Sequence, residues 1–246
     1  MEQYGLIGYP LGHSFSRRFF NEEFFPVHGI EAEYLNFEIK DVSELSDVLR
    51  AHPALRGLNC TIPHKQAVMP LLDDISPEAA EIGAVNVIRV RDGRLKGFNS
   101  DIIGFMDSIR PLLQPHHRRA LVLGSGGASK AVWAGLRRLD IEPVQVSRRR
   151  GEGILSYEDL TQGVMAGHTV VVNCSPVGMY PHVDECPAIP YDMLTENHLL
   201  YDLVYNPVDT LFMQRGREHG AVVKNGLEML RLQALASWTF WHSDDE

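Results

Sequence analysis

The stretch "GLNCTIPHKQAV", from Gly57 to Val68, aims Thr61 and Lys65 past the end of a strand-like run. Leu58, Cys60 and Ile62 alternate with Asn59 and Thr61, and Pro63 stops the run because proline has no N–H for a ladder. A lysine and an aspartate near a carbonyl that is being reduced can move its proton, which makes Lys65 and Asp101 a candidate acid–base pair. In "GHSFSRRF", Ser14 and Ser16 stand two apart. In an extended segment their hydroxyls face one side and suit a carboxylate. The alternative is structural, since Ser16 is a good N-cap for the helix that follows. Thr61, Asn86, Asn99 and Gln233 add short polar groups. Taken singly, each has a plain role: Lys65 a surface lysine, Asn86 a bulge residue, Asp101 an N-cap, Gln233 a helix residue.

A second set of residues suits a dinucleotide. In "RRALVLGSGGASKAVWAGLRRL", Gly124, Gly126 and Ser129 occupy the three positions of a G-x-G-x-x-G/A fingerprint between an apolar strand and a helix. The first glycine permits the tight turn. The second lets the backbone approach a pyrophosphate seated on the helix N-terminus. The next strand, "EPVQVSRRR", ends in Ser147, Arg148, Arg149 and Arg150, where a site for NAD would carry a carboxylate for the ribose 2′-hydroxyl. Guanidinium there suits the 2′-phosphate of NADP; the plain reading is a solvated basic loop.

The elements that must position these groups alternate between strand and helix. "YGLIGYP", "AEYLNFEI" and "LRGLNCTIP" read as strands. "SRRFFNEEFFPVHG", closed by Gly29, and "VSELSDVLRAH" read as helices. "AVNVIRVRDGRLKGFN" reads as a hairpin turning at Asp92-Gly93. From about Ile102 to Lys224, "HTVVVNCSP", "HLLYDLVYNP" and "AVVKNG" are short apolar strands of a parallel sheet covered on both faces. "YEDLTQGVMAG" and "TLFMQRGREHG" are helices between them, so this is a doubly wound α/β segment. A last helix, "GLEMLRLQALASWTFW", carries an apolar stripe of Leu227, Leu230, Ala234, Trp238 and Trp241.

The 246 residues are 44% hydrophobic and 22% charged, with a net charge of -9, which suits a globular chain of one large or two modest domains. The acidic balance argues against nucleic-acid partners and acidic membrane surfaces, both of which need a basic face. Cys60, Cys174 and Cys186 form no zinc-like cluster, and no metal is expected. The odd cysteine count and an N-terminus without a basic-then-apolar pattern predict reduced thiols, no secretory leader and a cytoplasmic setting. No apolar run is long enough to span a membrane.

Together these segments resemble the shikimate dehydrogenase family. "GYPLGHSFS" is similar to its opening strand and Ser-x-Ser loop, and "NCTIPHK" to its Asn-Val-Thr-x-Pro-x-Lys stretch. "GAVNVI", "GFNSDIIGF", "VLGSGGASKAV" and "NGLEMLRLQA" follow in the family's order, so the likeness spans residues 5 to 234. The resemblance implies reversible reduction of 3-dehydroshikimate to shikimate with NADPH, in the biosynthesis of chorismate and the aromatic amino acids. It implies an α/β substrate domain of residues 1–101, completed by a helix over 226–246. It also implies a Rossmann-type NADP domain of residues 102–225, with the cleft between the two. Carried over by position, Ser14 and Ser16 hold the substrate carboxylate with help from Tyr205. Thr61, Asn86, Asp101 and Gln233 bind ring hydroxyls, and Lys65 and Asp101 are the catalytic pair. Gly124, Ser125, Gly126, Gly127, Ala128, Ser147, Arg148 and Arg149 hold NADP(H), and Gly226 offers its backbone to the nicotinamide end.

The sequence departs from the family pattern at several places. Cys60 replaces a valine, Arg17 a proline, Phe20 a histidine and Ser100 a threonine, while Ser147-Arg148-Arg149 stands where Asn-Arg-Thr is usual. None removes a residue named above. Two rival readings are an NAD-tolerant quinate/shikimate dehydrogenase and a non-catalytic nucleotide-binding regulator; retention of Lys65 and Asp101 argues against the regulator. The expected partner is the small-molecule substrate, and the expected assembly a monomer or homodimer.

Overall fold

The computed structural model describes residues 1–12 and 14–243. The chain divides into two units, residues 1–100 together with the stretch from Gln233 onward, and residues 101–232. Of the helix expected over 226–246, the structure has Leu227–Trp241, and residues 244–246 lie outside the described residues.

The first unit is built on strands β1 (Glu2–Gly8), β2 (Ala32–Glu38), β3 (Leu55–Cys60), β4 (Asp74–Ile75), β5 (Val87–Arg91) and β6 (Arg94–Phe98). They lie in the order β2-β1-β3-β5-β6-β4. β1 is parallel to β2 and β3, while β5 is antiparallel to both β3 and β6. The β5–β6 turn is the one expected. Asp92 and Gly93 have φ of 51° and 75°, the left-handed pair that matches strand twist in a two-residue hairpin.

The segment read as one helix over "SRRFFNEEFFPVHG" is helical from Phe15 to His28, but Phe19–Phe24 winds as a π-helix. Phenylalanines at 19 and 24, and at 20 and 25, are five apart. At 3.6 residues per turn, such pairs point in different directions. The wider turn brings each pair together, with ring centroids 5.8 Å apart for Phe19–Phe24 and 5.5 Å for Phe20–Phe25, and all four rings are buried. Gly29 closes the helix at φ 62°, as expected.

The C-terminal helix docks against this aromatic cluster. Trp241 lies over Gly57, where any Cβ would strike the indole, and its Nε1 donates to the Ile88 carbonyl at 3.1 Å. The buried face differs from the stripe expected: Met229, Ala234, Ser237, Phe240 and Trp241 are buried, while Leu227, Leu230 and Trp238 are half-buried. A buried serine does not register in an apolar periodicity.

The second unit holds six parallel strands, β7 (Arg119–Leu123), β8 (Glu142–Ser147), β9 (Ile154–Ser156), β10 (Val170–Asn173), β11 (Leu199–Asp202) and β12 (Val222–Lys224). Their order, β12-β11-β10-β7-β8-β9, is that of a dinucleotide-binding sheet, reversing direction between β7 and β10. Apolar clusters cover both faces, around Leu121 and Phe212 on one and Phe105 and Tyr201 on the other. Strand β9 was not expected. The stretch "YEDLTQGVMAG" is not one helix either. A 3-10 turn at Tyr157–Asp159 breaks at Leu160, and the helix Gln162–Gly167 begins behind a new cap, Thr161.

Candidate active site

In the first unit, Ser14 rather than Ser16 caps the helix: its Oγ accepts from the Arg17 N–H at 3.2 Å. Ser16, the second residue of the helix, has its hydroxyl near the phenol of Tyr34. Burial pushes that phenol well above its usual range. Asn21 grips the Tyr34 backbone from the other side, accepting from its N–H and donating to its carbonyl, each at 2.9 Å.

Strand β3 ends as the sequence suggests. The Thr61 N–H donates to Ile7 at 3.0 Å, and the short helix His64–Ala67 follows Pro63 directly. The two side chains that follow Pro63 separate. His64 turns into the core, only 2% exposed, and its Nε2 donates to the Ile39 carbonyl at 2.8 Å. Lys65 stays half-buried, and its carbonyl accepts from the Val85 N–H at 2.7 Å, which ties its turn to the segment carrying Asn86. Asn86 is buried. Its Oδ1 accepts from the Ser100 N–H at 2.7 Å and its Nδ2 donates to Ser100 Oγ at 3.1 Å. Asn99 donates to the Ala84 carbonyl at 2.9 Å, a structural use. Gln233 is half-buried, and its carbonyl accepts from Ser237 Oγ at 2.8 Å.

In the second unit, Asp101 is buried at the first position of the helix Asp101–Ile109. Gly124 leaves β7 with φ 105°, a value that only glycine adopts readily, and its N–H donates to Val146 at 2.9 Å. Gly126 precedes the helix Gly127–Arg138, whose first turn carries no acidic side chain. A Cβ at Gly126 or Gly127 would meet no protein atom within 4 Å, so the backbone there faces open space. Ser125 and Gly127 are exposed, Ala128 half-buried, and the Ser129 hydroxyl folds back to the Gly126 carbonyl at 2.6 Å. Bare backbone at a helix N-terminus, at the switch point of a parallel sheet, fits a pyrophosphate. At the end of β8, Ser147 Oγ accepts from the Arg149 N–H at 3.2 Å and donates to its carbonyl at 2.6 Å, shaping a loop with Arg148 and Arg149 exposed. Arg150 instead pairs with Asp159 at 3.6 Å.

Tyr205 is half-buried on the loop after β11, beside Gly226, whose N–H donates to the Val204 carbonyl at 3.2 Å. A Cβ on Gly226 would strike the Leu203 carbonyl oxygen, so backbone packing alone demands glycine there.

Sequence reasoning passed over the acid that organises this edge. Asp202 ends β11 fully buried. Its Oδ1 accepts from Asn173 Nδ2 and the Val204 N–H, both at 3.0 Å, and its Oδ2 accepts from Thr210 Oγ1 at 2.6 Å. Asn173 also holds Ser175 through its N–H at 3.0 Å and its Oγ at 2.6 Å. One acid therefore pins the loops after both β10 and β11. Its signal was an acidic residue closing the otherwise apolar strand "LLYD".

Burial pushes the Asp202 carboxyl up to about 6, against three hydrogen bonds that pull it down. The folded state thus binds this proton more tightly than the unfolded chain does. The group's stabilising contribution is complete below its ordinary value of 3.8 and is lost as pH rises through about 6. Asp202→Asn keeps an oxygen for Asn173 and Val204 and turns an N–H toward Thr210. With the carboxyl at about 6 in the fold against an ordinary 3.8, the stability of this variant relative to wild type should rise by about 3 kcal/mol between roughly pH 3 and pH 7. Denaturant unfolding across that range checks this, and a flat difference would exclude titration of Asp202.

A profile of the family described as "Shikimate dehydrogenase substrate binding domain" matches residues 6–88. The shikimate dehydrogenase (NADP(+)) of Symbiobacterium thermophilum is 36% identical over 261 residues, spanning 96% of this chain and 87% of the relative. The crystal structure of shikimate 5-dehydrogenase from Thermus thermophilus in complex with NADP(H) and shikimate matches with a TM-score of 0.86 at 31% identity, covering 98% of this chain and 94% of that one. Quinate dehydrogenase from Corynebacterium glutamicum, in complex with NAD, matches at 0.87 with 26% identity, over 98% and 93% of the two chains. The glycine turn at the switch point, the polar strand ends of the first unit and likeness over nearly the whole length all agree: this chain belongs to the shikimate dehydrogenase family.

Proposed function

We propose that the protein is an oxidoreductase that reversibly reduces 3-dehydroshikimate to shikimate with NADPH, in the route to chorismate. The observation that carries this reading is the division of chemistry along a chain of this family. One unit gathers hydroxyl and amide side chains on the segments of Ser16, Thr61, Asn86 and Gln233. The other has an open glycine turn on a helix N-terminus, and two exposed arginines where the next strand ends.

In this reading the Gly124–Ala128 turn and the first turn of the helix Gly127–Arg138 hold the pyrophosphate, and Arg148 and Arg149 the 2′-phosphate. Bound NADPH supplies hydride. Ser14 and Ser16, with Tyr205, orient the carboxylate, and Thr61, Asn86, Asp101 and Gln233 the ring hydroxyls. Lys65, with Asp101, gives a proton to the oxygen of the carbonyl being reduced and takes it back in the reverse direction. A cytoplasmic site of action belongs to the same reading. It is supported by three free cysteines, and no helix among the described residues is long and apolar enough to cross a membrane.

The test is the absorbance of reduced nicotinamide during oxidation of shikimate and of quinate, each with NADP⁺ and NAD⁺. Shikimate with NADP⁺ should give the highest kcat/KM. A higher value with quinate or NAD⁺ would replace this reading by the quinate/shikimate alternative.

The cap at Ser14 makes the two serines separable. Ser14→Ala should both raise KM for shikimate and lower stability by ~0.5–2 kcal/mol, because the Arg17 N–H loses its acceptor. Ser16→Ala leaves the cap intact and should act mainly on KM. Thermal unfolding and steady-state kinetics on the two single variants check this; a stability loss in Ser14→Ala with normal KM would reduce Ser14 to a cap.

A further inference from the structure

Beneath the proposed substrate residues of the first unit runs one connected set of buried and half-buried hydrogen bonds. Tyr34 OH donates to Asn59 Oδ1 at 2.7 Å. Asn59 Nδ2 donates to the Asn86 carbonyl at 3.3 Å and to Ser237 Oγ at 2.9 Å. The carbonyl can only accept, so the amide orientation is settled. Ser237 Oγ spends its one proton on the Gln233 carbonyl at 2.8 Å. It therefore accepts from Ser100 Oγ, 3.3 Å away, and Ser100 in turn holds both ends of the Asn86 amide.

Ser237 and Ser100 are both fully buried. A helix serine that bonds the carbonyl four residues back has already met its local need. Ser237 goes further and receives donors from two other segments. It thereby joins three pieces of backbone: the helix turn carrying Gln233, the strand that carries Asn59 and leads to Thr61, and the Asn86 amide through Ser100. No apolar contact would fix the spacing of these three groups so closely, because a hydrogen bond tolerates only a few tenths of an ångström.

We propose that Ser237 and Ser100 are positioning residues for substrate recognition, holding Gln233, Thr61 and Asn86 at the spacing that a ring bearing several hydroxyls requires. This rests on the reading of Asn86 and Gln233 as substrate ligands. It also explains why Ser100, which stands where the family pattern has threonine, keeps a hydroxyl.

The experiment compares Ser237→Ala, Ser100→Ala, Ser100→Thr and Asn86→Ala in steady-state kinetics with shikimate and NADP⁺, alongside thermal unfolding. Losing the hydroxyl and the network bonds it makes should raise KM for shikimate on the order of tenfold or more in each serine-to-alanine variant. It should leave kcat within about twofold and KM for NADP⁺ unchanged, because the bonds do not reach the reacting carbonyl or the cofactor. Ser100→Thr, which retains the hydroxyl, should behave as wild type. Should Ser237→Ala not fold, Ser100→Ala carries the test alone, since it leaves the Ser237–Gln233 bond within the helix in place.

If Asn86→Ala raises KM for shikimate and the serine variants do not, the positioning role is overturned while the ligand assignment stands. If Asn86→Ala is silent as well, the ligand assignment itself fails. Equal changes in both KM values that track lost thermal stability, or a Ser100→Thr no better than Ser100→Ala, mean that the bonds only hold the fold together, and the proposal falls.

Discussion

Lys65→Ala should cut turnover by ~10²–10⁴-fold while leaving NADPH affinity and thermal stability close to wild type, since a positioned proton donor is worth about that much. The local structure makes this a clean variant. The Lys65 carbonyl, not its side chain, holds the Val85 N–H, so alanine keeps the turn. His64 next door cannot take over, because it is buried with its Nε2 on the Ile39 carbonyl. Asp101→Asn should fall in the same range, and the double variant should be much less than additive if the two act as a unit. Pre-steady-state mixing with NADPH separates chemistry from binding. A Lys65→Ala enzyme that keeps more than about a third of its turnover would remove lysine from the proton's path.

The second large effect concerns cofactor choice. Replacing both Arg148 and Arg149 by alanine should weaken NADP⁺ by at least ~10- to 150-fold, the worth of one charge-assisted bond to phosphate, and leave NAD⁺ nearly unchanged. Both side chains are exposed at the end of β8, where the adenosine ribose lies in this sheet order. Arg150 is expected to contribute little, because it already pairs with Asp159. Ser147→Asp should go further and reverse the preference. Its carboxylate repels the phosphate and accepts from a 2′-hydroxyl, and it can still take the Arg149 N–H that Ser147 Oγ accepts. Fluorescence titration with each dinucleotide reads both variants. If the double alanine variant discriminates as the wild type does, the phosphate is held elsewhere.

Much of this protein was legible in its sequence, wherever a local requirement leaves a local mark. Asp92-Gly93 demanded left-handed backbone and made a hairpin. Gly29 closed a helix, and Gly124 opened the turn after β7. The apolar runs of the second unit announced a parallel sheet buried on both faces. The ordered series of short motifs identified the family, and with it the reaction proposed. These features depend on φ, on period and on residue order, all of which a linear string carries.

Other features exist only once distant segments meet. Nothing local says that β3 lies between β1 and β5, or that β7 and β10 are neighbours across the switch point. The cap falls on Ser14 rather than Ser16. The phenylalanine helix widens into π geometry because four rings must reach one core. Asp202 reads as an acid at a strand end until Asn173 and Thr210 close around it. Asn59 and Ser237 are 178 positions apart, and only folding makes them a pair. Hydrogen bonds between such residues leave no periodicity and need no special dihedral angle, so packing alone decides which polar groups are buried together and what they hold in place.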